Sequence, residues 1–168
     1  MVIADAGPLI GLARIGCLDL LRALFGGVTI TAVVADEIGI DAEPDLRADR
    51  RPGASAIAKA REAGWLSIVE STDVPDVEPL NPGVDSGERT TIALALHWQA
   101  AGAQVLVIVD DRCGRAEARS RRLPHHRHRC TAGRGKAATA DSCLRAVDGG
   151  PEGGGLLPQR WAGGRRAC

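Results

Sequence analysis

Aromatic residues are almost absent: the 168 residues include no tyrosine, one phenylalanine (Phe25) and three tryptophans (Trp65, Trp98, Trp161). Sequence-specific reading of single-stranded bases leans on aromatic stacking, so recognition of that kind has no support here. Lysine is nearly missing too; Lys59 and Lys136 are the two in the chain, and the other cations are arginines. No apolar run approaches the ~18 residues of a membrane helix, and the first residues lack a signal peptide's basic start and cleavage site. The expectation is a cytoplasmic protein with no membrane partner. Five cysteines, an odd number at irregular spacing, do not make a disulfide framework and read as reduced thiols. Net charge is also zero, which at first argues against nucleic acid. What is present suits one ordinary domain with a real core, since domains typically run about 100–150 residues.

The neutrality hides an uneven distribution. Residues 125–168 hold eight Lys/Arg against three Asp/Glu, a net +5, which leaves residues 1–124 with 13 basic and 18 acidic residues, a net −5. The same stretch takes nine of the 21 glycines and three of the four histidines. Two kinds of sequence meet near Pro124.

In the first part the periodicity is legible. Val2-Ile3-Ala4 is a short apolar strand ending at Asp5, and Gly7-Pro8 turns the chain into a helix. Helical stripes of leucine follow, broken at Gly16. The β-branched Val28-Thr29-Ile30 predicts a strand, with Thr31 capping a helix that carries Val33, Val34, Glu37 and Ile38. Further on, the pattern predicts a helix over roughly 54–63, a strand at Leu66–Val69, a proline-rich loop over 71–84 and a helix from Ser86 to about Ala101. Gln104–Val109 reads as a buried strand ending in Asp110-Asp111, and a basic helix runs from Arg112 to Arg122. Alternation of this kind predicts an α/β protein, a central parallel sheet covered on both faces. In such sheets the site lies beyond the carboxyl ends of the strands.

Acids fall at those ends. Carboxylates converging there would hold Mg²⁺ or Mn²⁺, which favour oxygen ligands, and the ion would activate water against a phosphodiester. Asp5 could instead serve as a cap or turn residue. Glu37 shares a stripe with Val33 and Val34, an unexpected place for a merely solvated carboxylate. Glu88 follows Asp85 by three residues, the spacing of a capping box. Asp110-Asp111 is the sharper signal, because an apolar strand rarely ends in two adjacent acids without using their charge.

Val2 to Ile10, Ala35-Asp36-Glu37-Ile38, Asp85-Ser86-Gly87-Glu88 and Val107 to Arg112 together resemble the ordered acidic motifs of the PIN-domain superfamily. The resemblance is to PIN-like relatives of VapC-type toxins, with a D-x-x-P-L-I opening and a D-D-x-x-G-R pattern, over about residues 1–124. It implies a three-layer α/β/α sandwich and a Mg²⁺- or Mn²⁺-dependent ribonuclease of single-stranded RNA. It further implies the toxin of a toxin–antitoxin pair, with an antitoxin and a second copy of the chain as partners. Carried over to this sequence, Asp5, Glu37, Glu88 and Asp111 are the catalytic acids, with Asp110 beside them as a further metal ligand; Asp111 ranks above Asp110. Where many PIN domains place Ser or Thr near the first acid, this chain has Ala6 and Gly7.

Arg112, Arg115, Arg119 and Arg122 recur at helical spacing and would form a cationic stripe for RNA phosphates, or else an ordinary solvated face. The tail from residue 125 is harder to assign. His125-His126-Arg127-His128 with Cys130 and Cys143 invites zinc, but the spacing matches no standard module and the composition suits a disordered basic tail. Codons for His-His-Arg-His, read one nucleotide later, permit Ile-Thr-Gly-Thr, and the related family places an apolar-x-Gly-Thr segment after this helix. The tail is therefore read as frameshifted, and the last strand and helix of the fold as missing. Two alternatives stand beside the nuclease: an inactive, vestigial PIN-like chain, and a receiver-like phospho-acceptor. The latter normally has its adjacent acids after the first strand rather than a late one.

Overall fold

The computed structural model describes residues 1–40, 53–78 and 81–126. Short β-branched and apolar segments form its strands: β1 (Val2–Ala4), β2 (Val28–Thr31), β3 (Leu66–Val69), β4 (Leu106–Ile108) and β5 (His125–His126). Between them lie α1 (Ala6–Arg14), α2 (Asp19–Phe25), α3 (Ala32–Ile38), α4 (Ala54–Glu62), α5 (Ser86–Ala100) and α6 (Arg112–Ser120). The break in the leucine stripes at Gly16 falls, as predicted, between α1 and α2, and its φ of 70° suits glycine. Among the described residues no helix is long and apolar enough to cross a membrane.

The strands pair in the order β3-β2-β1-β4-β5, all parallel. Their side chains alternate between two cores, as a two-residue period requires. Val2, Ala4, Val28, Ile30 and Ile108 point into one core, filled by Leu9, Leu12, Leu21, Val34, Ile38 and Ile57 from α1 to α4. Ile3, Val107 and Val109 point into the other, filled by Ile92, Leu94 and Ala95 of α5 and Ala118 of α6. The architecture is the three-layer α/β/α sandwich. Leu9, Ile30 and Leu94 are fully buried, each contributing about 1.5–3 kcal/mol of apolar transfer.

The chain proceeds outward from β1 to β2 and β3, then crosses back to place β4 on the other side of β1. The crevice beyond the carboxyl ends of β1 and β4 is therefore the switch point at which ligands bind in such sheets. A backbone hydrogen bond from Asp5 N–H to the Ile108 carbonyl (3.0 Å) ties those two strand ends together.

One expectation is corrected. The last strand is not wholly missing: His125 and His126 pair in register with Val107 and Ile108, which carries the sheet two residues past the predicted boundary at Pro124. Backbone pairing needs no particular side chain, so even an unsuited sequence can add a short edge strand. Of the cysteines read as reduced, Cys113 is a free thiol. The predicted last helix and the zinc candidates His128, Cys130 and Cys143 lie outside the described residues.

Candidate active site

Asp5 leaves β1 as the N-cap position of α1, 7% exposed, its side chain capping nothing. Glu37 sits in the last turn of α3. Asp85 and Glu88 begin α5 with a reciprocal capping box: Glu88 N–H donates to Asp85 Oδ1 (2.8 Å) and Asp85 N–H to Glu88 Oε2 (3.4 Å). Asp110 and Asp111 follow β4, and Asp111 caps α6 by accepting from the Cys113 N–H.

These elements bring the predicted acids to one mouth. Glu37 Oε2, Asp5 Oδ1 and Asp85 Oδ1 all approach the α-carbon of Gly87, lying 2.9, 3.1 and 3.5 Å from where a β-carbon would stand. The Glu88 carboxyl rests against Gly114 in the first turn of α6, and the Asp110 carboxyl against Gly7 in that of α1. The capping reading of Glu88 is correct, and the cap uses only one of its two carboxylate oxygens. One oxygen, Oε2, serves the cap; the other, Oε1, is buried without a hydrogen-bond partner, as is Asp5 Oδ1.

The electrostatics follow from this crowding. Burial pushes Asp5 up to about 7, helped by the negative charges of Glu37, Asp85 and Asp110 and opposed by the Ala6 N–H. Burial also pushes Glu88 up to about 7, with Asp85, Asp111 and Asp5 adding to it. Asp111 goes the other way, held below its usual value by the backbone N–H groups at the start of α6, that of Cys113 foremost, and by Arg115. The adjacent acids thus divide their work: Asp110 bears on Asp5, and Asp111 on Glu88.

Among the described residues no three His, Cys, Asp or Glu side chains are gathered into a ready-made metal cage. The residues nevertheless fit a hard divalent cation. Two buried carboxylate oxygens lack any partner, and Asp5 Oδ1 shares the surface of Gly87 with oxygens of Glu37 and Asp85. A cation is the partner that such an arrangement wants, because buried charge without compensation is costly.

Beside the acids, Arg112, Arg115 and Arg119 line an open groove of about 440 Å³ together with His125. Arg115 also donates to the Asp110 carbonyl, which fixes its guanidinium next to the acids. Arg122 is not on that stripe. Helix α6 ends at Ser120, and Arg122 takes a left-handed conformation (φ 56°) as the chain turns into β5. Arg121, which the helical spacing passed over, pairs with the buried Glu117 at 3.0 Å and holds the Glu78 carbonyl.

Two further contributions escaped the sequence reading. Asp85 serves the capping box that its spacing predicts, and its charge also bears on both Asp5 and Glu88. A hydroxyl chain joins α3 to α5: Val34 N–H donates to Thr31 Oγ1 (3.4 Å), Thr31 lies 2.8 Å from Thr90 Oγ1, and Thr90 donates to the Gly87 carbonyl (3.0 Å). Since each hydroxyl has one proton, Thr31 donates to Thr90. Ala6 and Gly7 offer no hydroxyl near Asp5, but this pair ties the helix bearing Glu37 to the turn bearing Glu88. A threonine at the end of a strand, 59 residues from its partner, gives no local sign of that pairing.

A parallel α/β/α sandwich with acids converging at its switch point defines a class of nucleases and related metal-binding domains. A PIN-domain family model matches residues 1–127, and the chain belongs to that family. No curated protein matches it. Membership brings a nuclease-type function at the level of the family, whose members generally use divalent metals. It leaves the receiver-like alternative without support.

Proposed function

We propose that this chain is a Mg²⁺- or Mn²⁺-dependent endoribonuclease of single-stranded RNA. Asp5, Glu88, Asp110 and Asp111 would hold the ion, with the exposed Glu37 at the rim of the mouth. The observation that carries the reading is the pair of buried, unpartnered oxygens, Asp5 Oδ1 and Glu88 Oε1, in a carboxylate-bearing mouth beside a groove of arginines. When bound, the ion supplies Lewis-acid activation of water and of the phosphodiester. The chain's own part is to bind and align. Arg112, Arg115 and Arg119 engage backbone phosphates without reading bases, consistent with the shortage of aromatics. Asp111, fixed as a cap and ionised, keeps the rim of the mouth negative. The toxin role, an antitoxin partner, a homodimer and a cytoplasmic location rest on the sequence resemblance and composition. The test is cleavage of labelled single-stranded RNA by the full chain with Mn²⁺ or chelator. Equal cleavage by Asp5→Asn excludes this site.

A second reading is favoured by the edge of the sheet, where β5 has two residues, both histidine. If residues 125–168 are a frameshifted tail, the domain is cut short after Pro124 and the chain is a vestigial PIN-like protein. Sequencing the gene across codons 120–130 decides between them. A shifted frame encoding the apolar-x-Gly-Thr segment supports the vestige; a clean frame without it removes the reading.

A further inference from the structure

Several glycines in this fold are explained by positive φ, among them Gly16, Gly26, Gly39 and Gly102. Gly7, Gly87 and Gly114 are not: they lie in the first turns of α1, α5 and α6 with ordinary helical backbone. Glycine disfavours a helix relative to alanine, so its presence there calls for a reason of close approach. Each of the three faces carboxylate oxygens. At Gly114 all three nearest atoms belong to the Glu88 carboxyl, and a β-carbon would overlap Oε1 and stand 2.6 Å from Cδ. At Gly7 it would stand 2.8 Å from Asp110 Cγ, and at Gly87 2.9 Å from Glu37 Oε2. Separations under about 3 Å make something shift, which is cheap for the ends of exposed side chains such as Glu37 and Asp110 and costly for an enclosed carboxyl held by its own hydrogen bond. Glu88 is held in that way, at 1% exposure, by its capping box.

We propose that Gly114 is a positioning residue that seats the Glu88 carboxylate of the metal site. The missing β-carbon lets α6 close onto Glu88 and leaves the unpartnered Oε1 in the mouth. The functional half of this inference rests on the metal-site reading above. The site is thus shaped by where a side chain is absent as well as by where acids are present. Alanine at position 114 would push the Glu88 carboxyl out of the mouth, or α6 away from α5.

The test is a mutant cycle on the full chain with two readouts, Mn²⁺ binding followed by the spectroscopic signal of the free ion, and the melting midpoint of the metal-free protein. Gly114→Ala is expected to weaken Mn²⁺ binding about 10- to 100-fold, as loss of a supporting contact does at other metal sites. It is also expected to lower the midpoint, the opposite of what helix propensity alone dictates. Adding Glu88→Asp, which withdraws the carboxyl by one methylene, restores most of both. In a Glu88→Ala background the clash is gone, so Gly114→Ala raises the midpoint. Wild-type binding by Gly114→Ala, or an equal loss of midpoint in the Glu88→Ala background, overturns the proposal. A wild-type chain that binds no Mn²⁺ overturns the metal reading instead, while the melting cycle still decides the seat.

Discussion

The ends of β1 and β4 lie side by side, and each releases an acid into the same mouth, yet the two acids live under opposite physics. Asp5 is enclosed, with one oxygen unpartnered and three other carboxylates bearing on it, and is pushed up to about 7. Asp111 is exposed, accepts from the start of α6, has Arg115 nearby, and is held below the usual range. Position at a strand end therefore decides where a carboxylate goes but not how it titrates. The enclosed one, with Glu88, has the unmet need that a cation would fill; the exposed one has already been satisfied by backbone N–H groups and arginine.

The comparison breaks most severely if the enclosed acids are made neutral. Asp5→Asn keeps the shape, and Glu88→Gln also keeps the capping box, because glutamine serves at that position as well. Either change is expected to cost Mn²⁺-dependent cleavage more than the roughly 10–100-fold loss caused by removing a mere supporting group. Neither should lower the melting midpoint of the metal-free protein. Asp111→Asn, which preserves the cap through asparagine, is expected to cost less, about tenfold. Rate measurements on the three variants at saturating Mn²⁺ rank them; an equal loss at Asp111 would mean that burial does not distinguish the two ends.

A pH titration of metal-free stability sharpens the same contrast. Asp5 and Glu88 have folded values near 7, above their ordinary 3.8 and 4.5. The folded state therefore holds more protons than the unfolded one across that window, and stability falls as pH rises from about 4 to about 7. Below the window their contribution is fully present; above it the contribution is lost, on the order of a few kcal/mol. Asp111 has the opposite sign, since its depressed value adds stability above about 3.8 that disappears as pH falls through the folded value. Midpoints recorded across pH in chelator should decline toward neutrality, decline less steeply in Asp5→Asn because Glu88 still titrates, and recover above pH 7 when Mn²⁺ is added. A flat wild-type profile removes the electrostatic account.

The sheet was readable because its strands are apolar runs punctuated by acids, and the helices because their stripes and caps are local. Thr31, Asp85 and Asp111 all cap helices that the pattern predicted, two of the three at the expected place in the motif. Asp5 and Asp110-Asp111 were legible for the same reason, as they follow the ends of β1 and β4. What the sequence could not show depends on contacts between distant segments: the 2.8 Å approach of Thr31 and Thr90, the charge of Asp85 acting on Asp5, and the Glu88 carboxyl seated on Gly114. A glycine within a helical first turn is the one local sign that could have been used. Arg122 misled because helical spacing was extended two residues past the real end of α6.

That misreading supplies the smallest predicted effect. Arg112, Arg115 and Arg119 share the groove and Arg122 does not, so the arginines should separate by their effect on RNA affinity. For a single strand, each phosphate contact adds about 0.7 to the slope of log affinity against log salt. Arg112→Ala and Arg119→Ala should each lower that slope by about this amount, and so weaken binding most at low salt. Arg115→Ala should do so and also release Asp111 from a neighbouring positive charge, which raises its titration toward the ordinary value. Arg122→Ala should change neither the slope nor Asp111. Filter binding of a short single-stranded RNA in chelator, over a salt series, reads all four without requiring catalysis. A slope change at Arg122 as large as at Arg119 would show that phosphates follow the turn into β5 rather than the face of α6, and would shift the path of the strand away from the groove.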